Sequence, residues 1–226
     1  MIDRRAGIER IRNSELNDNN VCREANKKRS NDLKKIAVMF SGNGTDFQAL
    51  IDGEKNGAFD GKIVVAISSN SEAYGIQRAK AANIPCFVCR KVDFRDTVAR
   101  DEAVLELFKK YGVELIVLAG YLGILTAPLI DNYKRCIINI HPALLPKFGG
   151  KGMYGLNVHK AVIASGEKKS GATVHYSDGG IDTGDIILQR SLDVLPDDTP
   201  ESLQQRILNE IEHPLLVEAV AMLCKE

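Results

Sequence analysis

Short apolar runs of strand length recur along this chain, separated by stretches of helical periodicity, and this alternation restricts the fold more than any other feature. Residues 35–40, 62–68, 85–90, 115–119 and 136–140 are mostly continuous apolar runs, not polar-apolar alternations. That pattern belongs to strands covered on both faces. Helical stretches at 47–56, 74–82, 94–111 and 127–133 lie between them. The alternation predicts a parallel sheet with helices on both sides. After a loop at 142–155 the pattern predicts a helix at 156–165, then strands at 172–177 and 185–189. One long helix at 200–224 closes the chain, with a kink or break expected at His213-Pro214. There is no internal repeat.

Composition bounds what such a sheet can serve. The 226 residues are 44% hydrophobic and 27% charged, which suits one domain with a substantial core. The formal net charge is zero, so nothing global calls for a nucleic-acid partner. No apolar run reaches membrane-spanning length, and the polar N-terminus does not read as a secretory signal. The five cysteines are odd in number and scattered, as expected of reduced thiols in a cytoplasmic protein. Cys86 and Cys89 have the spacing of a redox or zinc half-site. On a strand their sulfurs would face opposite sides, and no second pair follows. Residues 1–33 stand apart, rich in Arg, Asn, Lys and Glu. They are expected to form a mobile, mildly basic arm with one amphipathic helix at 4–16, leaving 34–226 as a single domain. Asp3, Glu9, Glu15 and Asp18 count against a transit peptide.

Three segments carry candidate chemistry. Asn139 and His141 sit two apart at the end of an apolar run and lead into Pro142-Ala143-Leu144-Leu145-Pro146. Two apart on a strand means one face, so an amide and an imidazole stand side by side. Together they can stabilise an oxyanion and move a proton. The ordinary alternative is a turn-capping Asn and a loop-bonded His. Ser41-Gly42-Asn43-Gly44-Thr45-Asp46 joins a first strand to a first helix. Such a turn presents free N–H groups to an anion. It lacks the Lys of a P-loop, and Phe47 stands where a dinucleotide fingerprint wants Gly or Ala, so a single phosphate ester fits better than NAD. The alternative is a tight turn with Asp46 as helix cap. The third segment, His175 to Asp185, packs three aspartates and three glycines between two strands. It is either a long polar turn or the source of a carboxylate facing His141.

Taken together, Ser41-Gly42-Asn43-Gly44, Asn139-Ile140-His141-Pro142-x-Leu144-Leu145-Pro146 and His175…Asp182-Thr183-Gly184-Asp185-Ile186-Ile187-Leu188-Gln189 resemble the folate-dependent formyltransferases. The resemblance runs from about Lys34 to the C-terminus. It implies an α/β fold, a doubly wound, mostly parallel seven-stranded sheet with helices on both faces. It implies transfer of a formyl group from 10-formyltetrahydrofolate, as co-substrate, to the amine of glycinamide ribonucleotide. The small molecules would be the only partners, with no nucleic acid, membrane or metal, and the protein would be a monomer or homodimer.

By the same resemblance Asn139, His141 and Asp182 are the catalytic residues. Gly44, Thr45 and Asp46 hold the substrate phosphate, while Glu212 and Arg95 contact the ribonucleotide. Leu122, Gly123, Ile124 and Leu125, with Asp178, line the folate pocket. Three positions depart from the family pattern. Asp46 replaces the usual Asn, Gly123 stands where an Arg often lies beside the folate, and the glycine-rich segment 148–155 is longer and suits a flap. A formyltetrahydrofolate hydrolase would share Asn139, His141 and Asp182 but usually carries a larger N-terminal domain. A methionyl-tRNA formyltransferase would need a further C-terminal domain and a basic surface. A dinucleotide-binding module, a different class, rests on the glycine loop and parallel sheet alone.

Overall fold

The computed structural model describes residues 33–225. The expected arm and its helix at 4–16 lie outside the described residues, and one compact unit begins at Lys34. Seven strands, β1 Lys34–Phe40, β2 Gly61–Ser68, β3 Cys86–Val88, β4 Leu115–Leu118, β5 Ile137–His141, β6 Lys169–Tyr176 and β7 Ile186–Asp193, form a single sheet. Their order is β3-β2-β1-β4-β5-β6-β7. The first five run parallel, and β6 and β7 add antiparallel pairs at one edge.

Strand alternation explains why the apolar runs are continuous. On β1, Ile36, Val38 and Phe40 pack to one face with Phe47 and Leu50 of helix α1 (Thr45–Lys55). The same layer holds Leu203 and Ile207 of α6 (Pro200–Ile207) and Leu216 and Val220 of α7 (His213–Leu223). Ala37 and Met39 turn to the other face, against Val104 and Phe108 of α3 (Thr97–Tyr111) and Leu129 of α4 (Ala127–Asn132). Each large apolar side chain among them contributes about 1.5–3 kcal/mol when fully buried. The remaining helices are α2, Gly75–Ala81, and α5, Leu156–Ala164.

Three of the differences from the sequence expectation have a clear local reason. Helix α3 starts at Thr97 because the Asp96 carboxylate accepts from Ala99 N–H at 2.8 Å, and residues 91–93 form a separate 3-10 turn. Strand β3 is short, and Cys89 lies beyond it with its N–H donating to Ser68 O. Burial pushes the Cys86 thiol up to about 11, with Cys89 nearby adding to the effect, which leaves it unreactive near neutral pH. The last helix does not break at His213-Pro214. It widens into a π turn over Leu208–Glu212 before α7 continues. Pro214 has no N–H for an ordinary helical bond, and the wide turn takes up the mismatch.

Helix α1 begins without a side-chain cap. Gly44 occupies its N-cap position at φ 71, and Asp46 is already inside the first turn, so Asp46 is not the cap. A Cβ on Gly44 would lie 3.0 Å from Gly75 Cα. Gly44→Val is expected to cost about 1–3 kcal/mol in stability, measurable by urea denaturation. Wild-type stability in the variant would show that the left-handed turn is not required.

Candidate active site

Order reverses between β1 and β4, so the segments leaving their C-terminal ends diverge and open a crevice. A cavity of about 690 Å³ occupies it. Its walls come from the turns after β1, β4 and β5, from the β6–β7 loop and from the π turn.

Strand β5 delivers Asn139 and His141 to one wall, as the period of two predicts. Asn139 is directly opposite His175 on β6, and its Nδ2 donates to His175 Nε2 at 3.1 Å. The direction of that bond is fixed. His175 Nδ1 lies 2.9 Å from Tyr176 O, a carbonyl that can only accept, so Nε2 carries the lone pair in the neutral ring. The other Asn139 N–H faces Asp182 Oδ1 at 3.4 Å. His141 is likewise oriented, with Nε2 donating to Phe148 O at 2.8 Å and Nδ1 lying 3.6 Å from Asp182 Oδ2. The β6–β7 loop therefore does bring a carboxylate to the β5 tip. Asp182 holds left-handed backbone, φ 57, a conformation Asp tolerates better than most residues. Its Oδ2 accepts the Gly150 N–H at 2.9 Å, and its Oδ1 is 3.5 Å from His175 Nε2.

The electrostatics give the groups different ground states. Burial pushes His141 below the usual imidazole range, outweighing the Asp182 charge, so it is neutral near pH 7. Burial alone would raise Asp182. The Gly150 N–H, and the two neighbouring imidazoles whenever either takes up a proton, hold it below the ordinary carboxylate value. A neutral base thus stands beside an ionised carboxylate, and a proton arriving at His141 Nδ1 meets the negative oxygen.

The β1 turn supplies another part of the lining. Asn43, Thr45 and Asp46 line the cavity, and Gly44 sets their geometry from behind. Arg78 Nε and Nη2 donate to Asn43 O and Oδ1 at 2.9 and 3.3 Å, holding the turn. Ser41 Oγ accepts from Leu122 N–H at 2.8 Å, which ties this turn to the folate-wall candidates. The uncapped first turn of α1 leaves N–H groups for an anion. Asp46 reaches away from that turn, with Oδ1 lacking a hydrogen bond at 3.7 Å from His213 Nε2. Glu212, which the π turn brings to the cavity, is buried with it. Burial raises Asp46 to about 6, and burial followed by the Asp46 charge raises Glu212 well above its ordinary value.

The raised Asp46 value has a definite sign. The folded protein binds this proton more tightly than the unfolded chain does, where the ordinary value is 3.8. Stability is therefore lost as pH rises from about 4 through about 6, and the loss persists above that range. Asp46→Asn is expected to gain about 2 kcal/mol at pH 7.5 and little at pH 4. Thermal unfolding at the two pH values checks this; an equal change at both would mean that ionisation is not the cause.

Leu122, Gly123, Ile124 and Leu125 line the cavity as expected. A Cβ on Gly123 would meet the Tyr121 ring at 2.6 Å, so packing accounts for glycine in place of a larger residue. Besides Gly44, which lies behind the turn, two candidates do not line the cavity. Arg95 is exposed and paired with Asp96 at 2.9 Å. Asp178 shapes the β6–β7 loop instead, accepting from Gly180 N–H at 3.1 Å and the Thr183 hydroxyl at 2.9 Å. Sequence patterning misses two histidines as site residues. His175 enters it only as part of a motif, although a strand facing Asn139 was its signal. His159 on α5 lines the cavity with both ring nitrogens unpartnered, and burial, with His141 nearby, pushes it down to about 4.

The sheet order and the site together define an open α/β protein with its crevice at the C-terminal ends of the strands. The formyl transferase family model matches residues 34–220, and the chain belongs to that family. A chloroplastic phosphoribosylglycinamide formyltransferase of Vigna unguiculata is 44% identical over 193 residues, 85% of this chain and 62% of the relative. The corresponding Haemophilus influenzae protein is 39% identical over 174 residues, 77% of this chain and 80% of the relative. A solved glycinamide ribonucleotide transformylase 1 from Symbiobacterium toebii superposes with a TM-score of 0.80 at 37% identity, covering 86% of this chain and 89% of that one. The chain spans 62% and 66% of the lengths of two plant relatives, from Vigna unguiculata and Arabidopsis thaliana.

Proposed function

We propose that the protein transfers the formyl group of 10-formyltetrahydrofolate to the amine of glycinamide ribonucleotide, a step of purine biosynthesis. The observation that carries this is the set Asn139, His141, His175 and Asp182 in one cavity that an uncapped helix start also lines. The names of the relatives support the same reading.

The chemistry follows from the geometry. The amine nitrogen attacks the formyl carbon, and the carbonyl oxygen becomes an oxyanion. Asn139 keeps one N–H on His175 and turns the other, the weaker contact at 3.4 Å, to that oxygen. His141 has committed its Nε2 proton to Phe148, so it donates to the oxyanion only through Nδ1 after taking a proton there. The attacking nitrogen releases a proton to His141 Nδ1 or Asp182, and the same pair returns one to the folate nitrogen as its bond to the formyl carbon breaks. The products are the formylated amide and tetrahydrofolate. The phosphate lies against Thr45 and its neighbours, with Glu212 facing the ribose.

We place the protein in the cytoplasm, as a monomer or homodimer. Its described cysteines are free, which suits a reducing compartment. Cell fractionation and light scattering test these two points. An organellar location, as the plant relatives' names state for them, would overturn the first. The test of the activity itself is an assay of formyl transfer with and without the ribonucleotide.

A further inference from the structure

The cavity wall carries three carboxyl groups, Asp46, Asp182 and Glu212, yet both proposed substrates are anions. Among the described residues only one lysine or arginine lines the cavity, Lys151. Arg78, behind the β1 turn, has its guanidinium occupied by Asn43 and by Gln48 Oε1 at 3.1 Å. Lys147, four residues before Lys151, is paired with Glu167 at 2.8 Å. Lys151 is exposed and ends in no ion pair among the described residues.

The segment that presents Lys151 is not a free loop. Phe148 O accepts from His141, Gly150 N–H donates to Asp182 at 2.9 Å, and Asn157 Nδ2 donates to Gly152 O at 3.2 Å. The flanking Gly150 and Gly152 hold φ of 91 and 87, and nothing lies within 4 Å of where a Cβ on either would stand, so the lysine sits on an open rim. A cation is thus fixed to the backbone one residue from the hydrogen bond that orients Asp182.

We propose that Lys151 is an anion-binding residue of this site, taking an oxyanion group, phosphate or carboxylate, at the end of a bound substrate. The inference rests on the formyl-transfer reading for its substrates. Two sources share this chemistry, the ribonucleotide phosphate and the glutamate carboxylates of the folate. Gly123 supplies no side chain at the folate wall, so Lys151 stands as the cation for either.

Lys151→Gln and Lys151→Arg test it by steady-state kinetics with the ribonucleotide and with mono- and polyglutamyl 10-formyltetrahydrofolate. Lys151→Gln is expected to raise one KM about tenfold, with kcat little changed, and Lys151→Arg to restore most of the loss. A rise for the ribonucleotide identifies the phosphate; a rise larger for the polyglutamyl folate identifies the carboxylates. Unchanged KM values, a loss confined to kcat, or no rescue by arginine would overturn the proposal. If the wild type transfers no formyl group at all, the function reading fails by itself. Calorimetric binding of ribose 5-phosphate and of 5-formyltetrahydrofolate to wild type and Lys151→Gln then decides. Weaker binding of either probe to the variant sustains Lys151, and equal binding of both removes it.

Discussion

Asn139→Ala is expected to lower turnover roughly a hundred- to a thousandfold, the usual loss for one oxyanion donor. Both N–H bonds of this amide are already directed by the protein, one by His175 and one toward Asp182. His141 does not replace it at the outset, because its Nε2 proton is held by Phe148 O and its Nδ1 donates only after taking a proton. KM values are expected to change little, since the oxyanion exists only in the transition state. Stability is expected to fall by about 1–3 kcal/mol, because His175 Nε2 is left buried without its donor. His175→Ala provides the comparison in rapid-quench and steady-state kinetics. It is expected to lower kcat by releasing Asn139 while leaving both KM values near wild type. An Asn139→Ala enzyme with near-normal turnover would show that the oxyanion is stabilised elsewhere.

Asp182→Asn is expected to cost about a hundred- to ten-thousandfold in turnover, as removal of a proton carrier does. Asn accepts left-handed backbone as readily as Asp, so the φ of 57 does not penalise the variant. Shape is kept and the charge is lost. His141 then lacks the negative oxygen 3.6 Å from its Nδ1 and becomes a weaker proton acceptor. Because His141 and Asp182 handle one proton, the His141→Ala, Asp182→Asn double variant is expected to be little worse than the poorer single one. Penalties that multiply would mean that the two residues act in separate steps.

The seven strands are legible in the sequence because most are buried on both faces and therefore apolar throughout. The exception is instructive. Strand β7 runs on to Asp193, but at the sheet edge its Arg190, Ser191 and Asp193 are exposed, so the apolar signal stops early. The π turn is invisible for another reason. Leu203, Ile207, Ile211 and Leu215 keep helical spacing across it, so the widening leaves no mark on the pattern. That Asn139 and His141 share one face is legible from strand period alone. That Asp182 reaches them depends on a loop whose reach no spacing reports, and there the family resemblance supplies the residue. His159 is hidden among Val158 and Val162 as one more position of a buried helix stripe. Arg95 lies outside the cavity, exposed and paired with its neighbour Asp96.

Formyl transfer measured with and without the amine acceptor bears most directly on the proposed activity. Purified protein is incubated with 10-formyltetrahydrofolate, and tetrahydrofolate is followed alongside formylated product. Tetrahydrofolate is expected to form only when glycinamide ribonucleotide is present, in equal amount to the formylated ribonucleotide. Tetrahydrofolate released at the same rate without the ribonucleotide, with formate as the other product, would contradict the transferase and mark the site as a hydrolase.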